Sequence, residues 1–177
     1  IQLSRQKLFR SLASGKRPVS ELLKEGREIG LDLVADRYNI VLLQIFSDHQ
    51  VEGYSEERNA AEQAIEKMTE KMKNILIVEL GLEGWGFIIK ETDEARSVEQ
   101  TLDEFLEKLQ EMIGTYEGIE YFAGVGRAVA RLSELNRCFE EANRAFAYRY
   151  LRTWNQVIYS EKEPGNASVD ENLNLSA

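Results

Sequence analysis

The sequence predicts an α+β fold in which helices cover a single sheet, and three segments carry this prediction. The near-continuous apolar run "YNIVLLQIF" at 38–46 is typical of a strand that is covered on both faces. Residues 97–114 place apolar side chains along one helical face. Two short apolar runs, 75–80 and 85–90, flank a glycine-containing connection and so indicate a β-hairpin.

Two short helices are predicted before the first strand, at 3–13 and 19–29, because apolar residues recur there at helical spacing. Pro18 suits the first turn of the second helix. A further helix at 55–73 follows the first strand, with Ser55 as its N-cap. The expected inward side chains of the first helix are Leu3, Leu8, Phe9 and Leu12.

The rest of the chain predicts a strand that starts near Ile119, a long helix capped by Ser133, and a final strand in "NQVIYS". The inward residues expected on that helix are Cys138, Phe139, Ala142, Ala145 and Phe146. The resulting order, β-α-β-β-α-β-α-β, is related to the ferredoxin-like arrangement. The tail from Glu161 has no apolar period and is expected to be a linker.

Charge and composition exclude several classes of function. The net charge of −9 and the pI near 4.8 do not fit a nucleic-acid-binding surface, so this segment alone is not expected to bind duplex DNA. No apolar run approaches the roughly 18 residues that a membrane span needs. The single cysteine, Cys138, cannot form an internal disulfide and is expected to be a buried, inert thiol. The single histidine, His49, is expected to be a solvated loop residue, and the start at Ile1 suggests a fragment of a longer chain.

The segment "GVGRAVARLSEL" at 124–135 raises the question of a phosphate-binding loop, because glycines, an arginine and a helix start come together there. It lacks the GxxxxGK[ST] pattern and the third glycine of a dinucleotide fingerprint. Gly124 and Gly126 are therefore expected to permit tight packing or a bend. Arg127 and Arg131 could bind an anion, but pairing with surface carboxylates is the favoured interpretation.

The segment "GVGRAVARLSELNRCFEEANRAFAYRYL", followed by "NQVIYSE", resembles the end of the GGDEF-like middle domain of YesN/AraC-type two-component response regulators. The helix positions that match the family pattern are Glu141, Ala142, Ala145, Tyr148 and Arg149. The resemblance covers about 38–160 and implies a nucleotide-cyclase-like fold, related to the diguanylate cyclases. It also implies three parts: a helical connector from a receiver domain at 1–30, a GGDEF-like domain at 31–160, and a flexible linker at 161–177 toward a DNA-binding domain.

The same resemblance implies that the cyclase chemistry is lost. An active cyclase needs carboxylates that hold Mg²⁺ over a triphosphate. Here Gln44 and Phe46 stand where carboxylates are expected, and the hairpin reads Gly81-Leu82-Glu83-Gly84-Trp85 in place of G-G-D-E-F. Leu82 is expected to crowd the nucleotide position, and Tyr150 stands where a helical lysine usually meets phosphate. The R-x-x-D product-inhibition motif is missing, although Asp48 could supply a metal contact in a shifted register.

The sequence therefore predicts a non-enzymatic, cytoplasmic signalling or connector domain with no catalytic, cofactor-binding or metal-binding residues and no membrane contact. Its sensor histidine kinase and promoter DNA would be contacted by other domains of the full-length regulator. The alternative function is a sensor that binds a nucleotide or small effector in the degenerate cleft, and a weakly active cyclase ranks third. The two first helices either form a homodimer contact or fold back onto their own domain.

Overall fold

A computed structural model describes residues 2–47, 56–151 and 153–160. In chain order the elements are α1 (Gln2–Ser14), α2 (Val19–Glu28), β1 (Arg37–Ser47), α3 (Glu56–Glu70), β2 (Ile75–Glu79), β3 (Trp85–Glu91), α4 (Val98–Ile113), β4 (Ile119–Val125), α5 (Leu135–Phe146) and β5 (Gln156–Tyr159). The predicted order of strands and helices is confirmed. Ser55, His49 and Asp48 lie outside the described residues.

The five strands form one sheet in the order β2-β3-β1-β4-β5. The central strand β1 pairs antiparallel with both β3 and β4, and β5 runs parallel to β4. Since β1 has a partner on each side and helices above and below, its apolar run has no face left for water. The double coverage predicted for this strand is confirmed by the burial of Tyr38 through Leu43.

Alternate residues of β1 enter two separate cores. Ile40 and Leu42 face α1, α2 and α5, whereas Val41 and Leu43 face α3 and α4. The capping box of Ser97 and Gln100 begins α4, which agrees with the predicted helix start. Among the described residues no helix is long and apolar enough to span a membrane.

The predicted N-cap of α5 is wrong. Ser133 lies inside a short 3₁₀ turn, Leu132–Glu134, and the helix itself starts at Leu135 without a side-chain cap. The buried side chain of Leu132 anchors the turn, and the N–H of Glu134 donates to the carbonyl of Arg131. The 3₁₀ turn therefore provides a backbone acceptor for one of the N–H groups at the start of the helix, a role that a serine side chain would have at an N-cap.

The two glycines of "GVGR" allow α5 to lie directly on the sheet. A Cβ on Gly124 would lie 2.5 Å from the backbone nitrogen of Phe146, and one on Gly126 would lie 2.5 Å from the carbonyl oxygen of Cys138. The N–H of Gly126 is also occupied, because it donates to the carbonyl of Ile40 at 3.0 Å. The packing interpretation of these glycines is confirmed.

The helix α1 folds back onto its own domain. Leu8, Phe9 and Leu12 are buried there, and the Phe9 ring packs edge-on against Phe139 at 5.7 Å between centroids. The expected inward position of Leu3 is wrong, since this side chain is 65 % exposed. Five positions at 3.6 residues per turn place Leu3 roughly 140° around the helix from Leu8, which takes it off the buried stripe.

Replacement of Gly124 by alanine is expected to destabilise the domain by about 1–3 kcal/mol, because the new methyl group must push α5 away from β4. Chemical denaturation of the two proteins measures this loss. Gly114→Ala is the matched control, since Gly114 is exposed and has right-handed helical φ and ψ angles. Equal stabilities of the two variants would contradict close packing at Gly124.

Leu8→Ala is expected to lower the free energy of unfolding by about 2–5 kcal/mol, because it leaves a cavity in the domain's own core. Leu3→Ala, on the same helix, is expected to stay within about 0.5 kcal/mol of the parent. Urea denaturation compares the two, and sedimentation reports the oligomeric state of each. A change of oligomeric state without loss of stability in Leu8→Ala would instead place this side chain between two chains.

Candidate functional site

A cleft of about 180 Å³ lies where β1 ends, between α3 and the β2–β3 hairpin. Gln44 reaches the cleft from β1, the charged residues Arg58, Glu62 and Glu66 come from α3, and Glu79 comes from the end of β2. The cleft is thus polar on the helix side. Its other wall is formed by the hairpin, whose geometry decides what the cleft can hold.

The hairpin approaches β1 so closely that Gly84 cannot carry a side chain. Gly84 has a φ of 95°, and a Cβ there would overlap the carbonyl oxygen of Leu43. Gly81 has a φ of 69° and starts the short 3₁₀ turn, and the N–H of Leu80 closes the loop onto the carbonyl of Gly84 at 2.8 Å. Both positions use the conformational freedom of glycine.

Leu82 lines the cleft at the tip of the hairpin, and crowding of a nucleotide by its side chain stays a prediction. The side chain is 93 % exposed at the tip of the 3₁₀ turn. Its carbonyl oxygen instead points to the sheet and accepts a hydrogen bond from Nε2 of Gln44 at 3.3 Å. The backbone of Leu82, not its bulk, connects the hairpin to the end of β1.

Arg149 completes a chain of hydrogen bonds across the end of the sheet. Its Nε donates to Oε1 of Gln44 at 3.0 Å, its Nη1 to the carbonyl of Phe146 at 3.1 Å, and its Nη2 to the hydroxyl of Tyr150 at 2.6 Å. The guanidinium carbon also lies 3.9 Å from the centroid of the Phe146 ring. We call the series Leu82–Gln44–Arg149 the Arg149 bridge. Sequence analysis did not find it, because its members are far apart in the chain.

Of the other substituted positions, Phe46 packs against an aromatic ring, whereas Tyr150 is exposed and accepts a hydrogen bond from Arg149. Phe46 stacks on Trp154 with 5.0 Å between ring centroids, and Tyr150 lies largely exposed in the 3₁₀ turn that follows α5. Trp85 is buried at the start of β3, beside the Glu66 carboxyl. Both tryptophans, Trp85 and Trp154, therefore pack against neighbouring side chains.

The carboxyl of Glu66, on α3, has an unusual environment for a glutamate side chain. A hydrogen bond with Glu79, then burial, then the negative charge of Glu79 raise the pKa of Glu66 to about 7, from an ordinary value of 4.5. The hydrogen bond with the Trp85 side chain works in the opposite direction. The four-residue spacing of Glu62 and Glu66 indicates that both lie on the same face of α3. The proximity of Glu79, at the end of β2, cannot be predicted from the sequence.

Two sequence-predicted groups lie away from the cleft. Burial raises the pKa of the Cys138 thiol to about 12, and its Sγ donates to Oδ1 of Asn39 at 3.3 Å, so it is inert as a nucleophile. The guanidinium of Arg127 lies 3.9 Å from the Glu141 carboxylate, which agrees with the predicted ion pairing, and Arg131 is exposed. Within the described ranges, no three His, Cys, Asp or Glu side chains are grouped to hold a metal ion.

The family model described as "GGDEF-like domain" matches residues 14–148. The chain belongs to this family. The match extends from the end of α1 to the 3₁₀ turn after α5, and so includes the cleft, the hairpin and most of the Arg149 bridge. Among curated proteins, no sequence matches this GGDEF-like domain.

The fold of the GGDEF-like domain is similar to that of solved structures. One of them is the active GGEEF domain of a diguanylate cyclase from Vibrio cholerae, with a TM-score of 0.56 and 10 % identity, and the match covers 88 % of this chain and 95 % of that chain. The predicted α+β, cyclase-like fold is thereby confirmed. At this identity the likeness concerns the fold alone.

Removal of the Arg149 side chain should loosen the hairpin of the GGDEF-like domain. Arg149→Ala deletes three hydrogen bonds and leaves Oε1 of the half-buried Gln44 without its donor, with an expected cost of about 1–3 kcal/mol. Hydrogen exchange should become faster at Leu80 and Gly84. Arg144→Ala, an exposed arginine of α5, is the control, and equal exchange rates in both variants would contradict the bridge.

Proposed function

We propose that this GGDEF-like domain is a non-catalytic connector in a two-component response regulator. The observation that carries the proposal is the Arg149 guanidinium at the end of β1. It donates to Gln44, at a position where the resemblance to active cyclases calls for a metal-binding carboxylate. A fixed cation beside a neutral amide does not fit Mg²⁺, since the ion requires oxygen ligands, preferably carboxylates, and would be repelled by the guanidinium.

The regulator context is supported by the resemblance of 124–159 to the middle domain of YesN/AraC-type proteins. In such a protein a receiver domain would accept phosphate from a sensor histidine kinase, and an AraC-type domain would bind promoter DNA. The connector would hold the two at a set distance and orientation. The close packing of α1 against β3 and α5 supports this role, because it joins the preceding helices rigidly to the sheet.

The specific test is incubation of the chain with GTP and Mg²⁺ or Mn²⁺. No cyclic dinucleotide is expected above a heat-inactivated control, because the metal would meet Gln44, Phe46 and Arg149 rather than a pair of carboxylates. Chromatography with mass detection measures the product, and an active diguanylate cyclase serves as positive control. Formation of cyclic di-GMP would refute the proposal.

The cleft itself favours one second candidate, a sensor that binds a nucleotide or small effector without turning it over. The space of about 180 Å³ beside Arg58 could admit part of such a ligand. Calorimetric titration with GTP, with and without Mg²⁺, separates the two candidates. A micromolar, saturable signal would support the sensor, whereas the connector predicts no heat of binding.

A further inference from the structure

All three methionines of the chain line one groove between α3 and α4, which we call the methionine groove. Met68 lies on α3, Met72 in the turn that follows it and Met112 on α4, and all three are half-buried against the core beneath these helices. The groove has a volume of about 470 Å³, more than twice that of the cleft at the end of β1. Since unbranched thioether side chains adapt to the shape of a bound segment, they provide a suitable apolar floor for one.

The rim of the methionine groove is basic. Lys67, Lys71 and Lys108 are exposed there, and none of the described residues that line the groove is acidic. The Nζ of Lys108 lies 3.1 Å from Oε1 of Glu104, whereas Lys67 and Lys71 form no ion pair within the described part of the chain. In a chain with a net charge of −9, this local excess of positive charge favours an occupant that carries carboxylates.

The segment 161–177 has a composition that complements the groove. It contains four carboxylate side chains and one lysine, and its larger apolar side chains are Val169, Leu173 and Leu175. Asp170 and Glu171 stand directly among them in the sequence. The chain therefore supplies, in one short stretch, both the apolar side chains and the negative charges that the floor and the rim would bind.

This segment also starts close enough to reach the groove. The described residues end at Ser160, directly after β5, and Val157 and Tyr159 of β5 pack against the same core as the three methionines. Nine residues lead from there to Val169, and in extended form they span about 30 Å. With about 4.8 Å between neighbouring strands, the five-stranded sheet is only about 20 Å across. Because the segment is tethered, its effective concentration at the groove is on the order of millimolar, so even a weak contact would be populated.

The segment 48–55 fits the groove less well. Its ends are fixed at Ser47 and Glu56, so it joins the end of β1 to the start of α3. The groove begins at Ala64, about two turns further along α3, and extends into the turn after this helix. A segment that is held at both of its ends has less freedom to lie along the groove than one that is held at a single end.

We propose that the segment 161–177 folds back and docks in the methionine groove. Leu173 and Leu175 contact the methionine side chains, while Asp170 and Glu171 lie beside the rim lysines. The docked segment takes the place of the free linker that the sequence predicts. The docking goes beyond the connector role and does not depend on it, but in the proposed regulator it would give the DNA-binding domain a fixed starting point on the α3–α4 face.

Methionine methyl NMR of the full 177-residue chain tests the docking directly, because all three methyl signals come from the groove. Leu173→Ser combined with Leu175→Ser should release the segment and shift these signals, while the described fold stays intact. The amides of 168–176 should at the same time change from the relaxation of an ordered segment to that of a free chain. Leu3→Ser is the matched control, since Leu3 is an exposed leucine on α1, and it should leave all three methyl signals in place.

The basic rim is tested by Lys67→Gln combined with Lys71→Gln, and by raising the salt concentration from about 0.05 to 0.5 M. Both changes should increase the mobility of 168–176, because they weaken the attraction between the lysines and the carboxylates. Lys24→Gln, at an exposed lysine of α2, should leave this mobility unchanged.

Two outcomes would overturn the docking. One is a set of methionine signals that do not differ between the parent and the double leucine variant, which would leave the groove open to another protein. The other is a set of signals that depend on protein concentration while sedimentation shows a dimer, since the segment would then occupy the groove of a second copy of the chain.

Discussion

The strand β1 exposes no more than 4 % of any side chain from Tyr38 to Leu43, and this double burial governs the arrangement of the domain. A strand without a solvent face needs apolar layers above and below it, so α1, α2 and α5 occupy one side and α3 and α4 the other. It also needs a hydrogen-bonding partner along both edges, which β3 and β4 provide. The other elements are arranged around these six residues.

The cleft arises where this constraint ends. Beyond Leu43 the alternation continues, but the helical layers no longer cover both faces, so Gln44 is half-buried and Phe46 is partly exposed. Polar side chains from α3 and the hairpin can therefore reach the end of the strand. In this family member the available positions are taken by an amide, an arginine and aromatic rings, which bind to one another. The end of β1 thus contributes to cohesion between the hairpin, α5 and the segment before β5.

The elements could be predicted from the sequence because their periodicities are local and strong. The positions of β1, α4 and the hairpin follow from a near-continuous apolar run, from helical spacing and from two short apolar runs around a glycine-containing connection. The two wrong predictions have local causes as well. A 3₁₀ turn at Leu132–Glu134 places the start of α5 after Ser133. Leu3 lies on a different side of α1 from the buried residues Leu8, Phe9 and Leu12. In both cases the backbone geometry of a single helical turn decides the outcome, and residue type alone does not determine that geometry.

The candidate site was less accessible to sequence reasoning, because its contacts join distant positions. Substitution at Gln44 and Phe46 is visible in the chain, but the approach of Arg149 to Gln44 depends on how the 3₁₀ turn after α5 ends. The proximity of Glu66 and Glu79 likewise needs the packing of α3 against β2. Leu82 shows the same dependence: its carbonyl, rather than its side chain, carries the interaction with the sheet.

The contact of Phe9 with Gly86 has a mechanical consequence. A Cβ on Gly86 would lie 2.7 Å from the Phe9 ring, so the ring occupies a socket that exists only because β3 has no side chain there. Rotation of α1 about its axis, or a slide by one residue, would bring Lys7 or Arg10 toward this apolar socket at a large desolvation cost. Displacement of α1 relative to β3 would therefore lose the Phe9 contact and leave a cavity in the core.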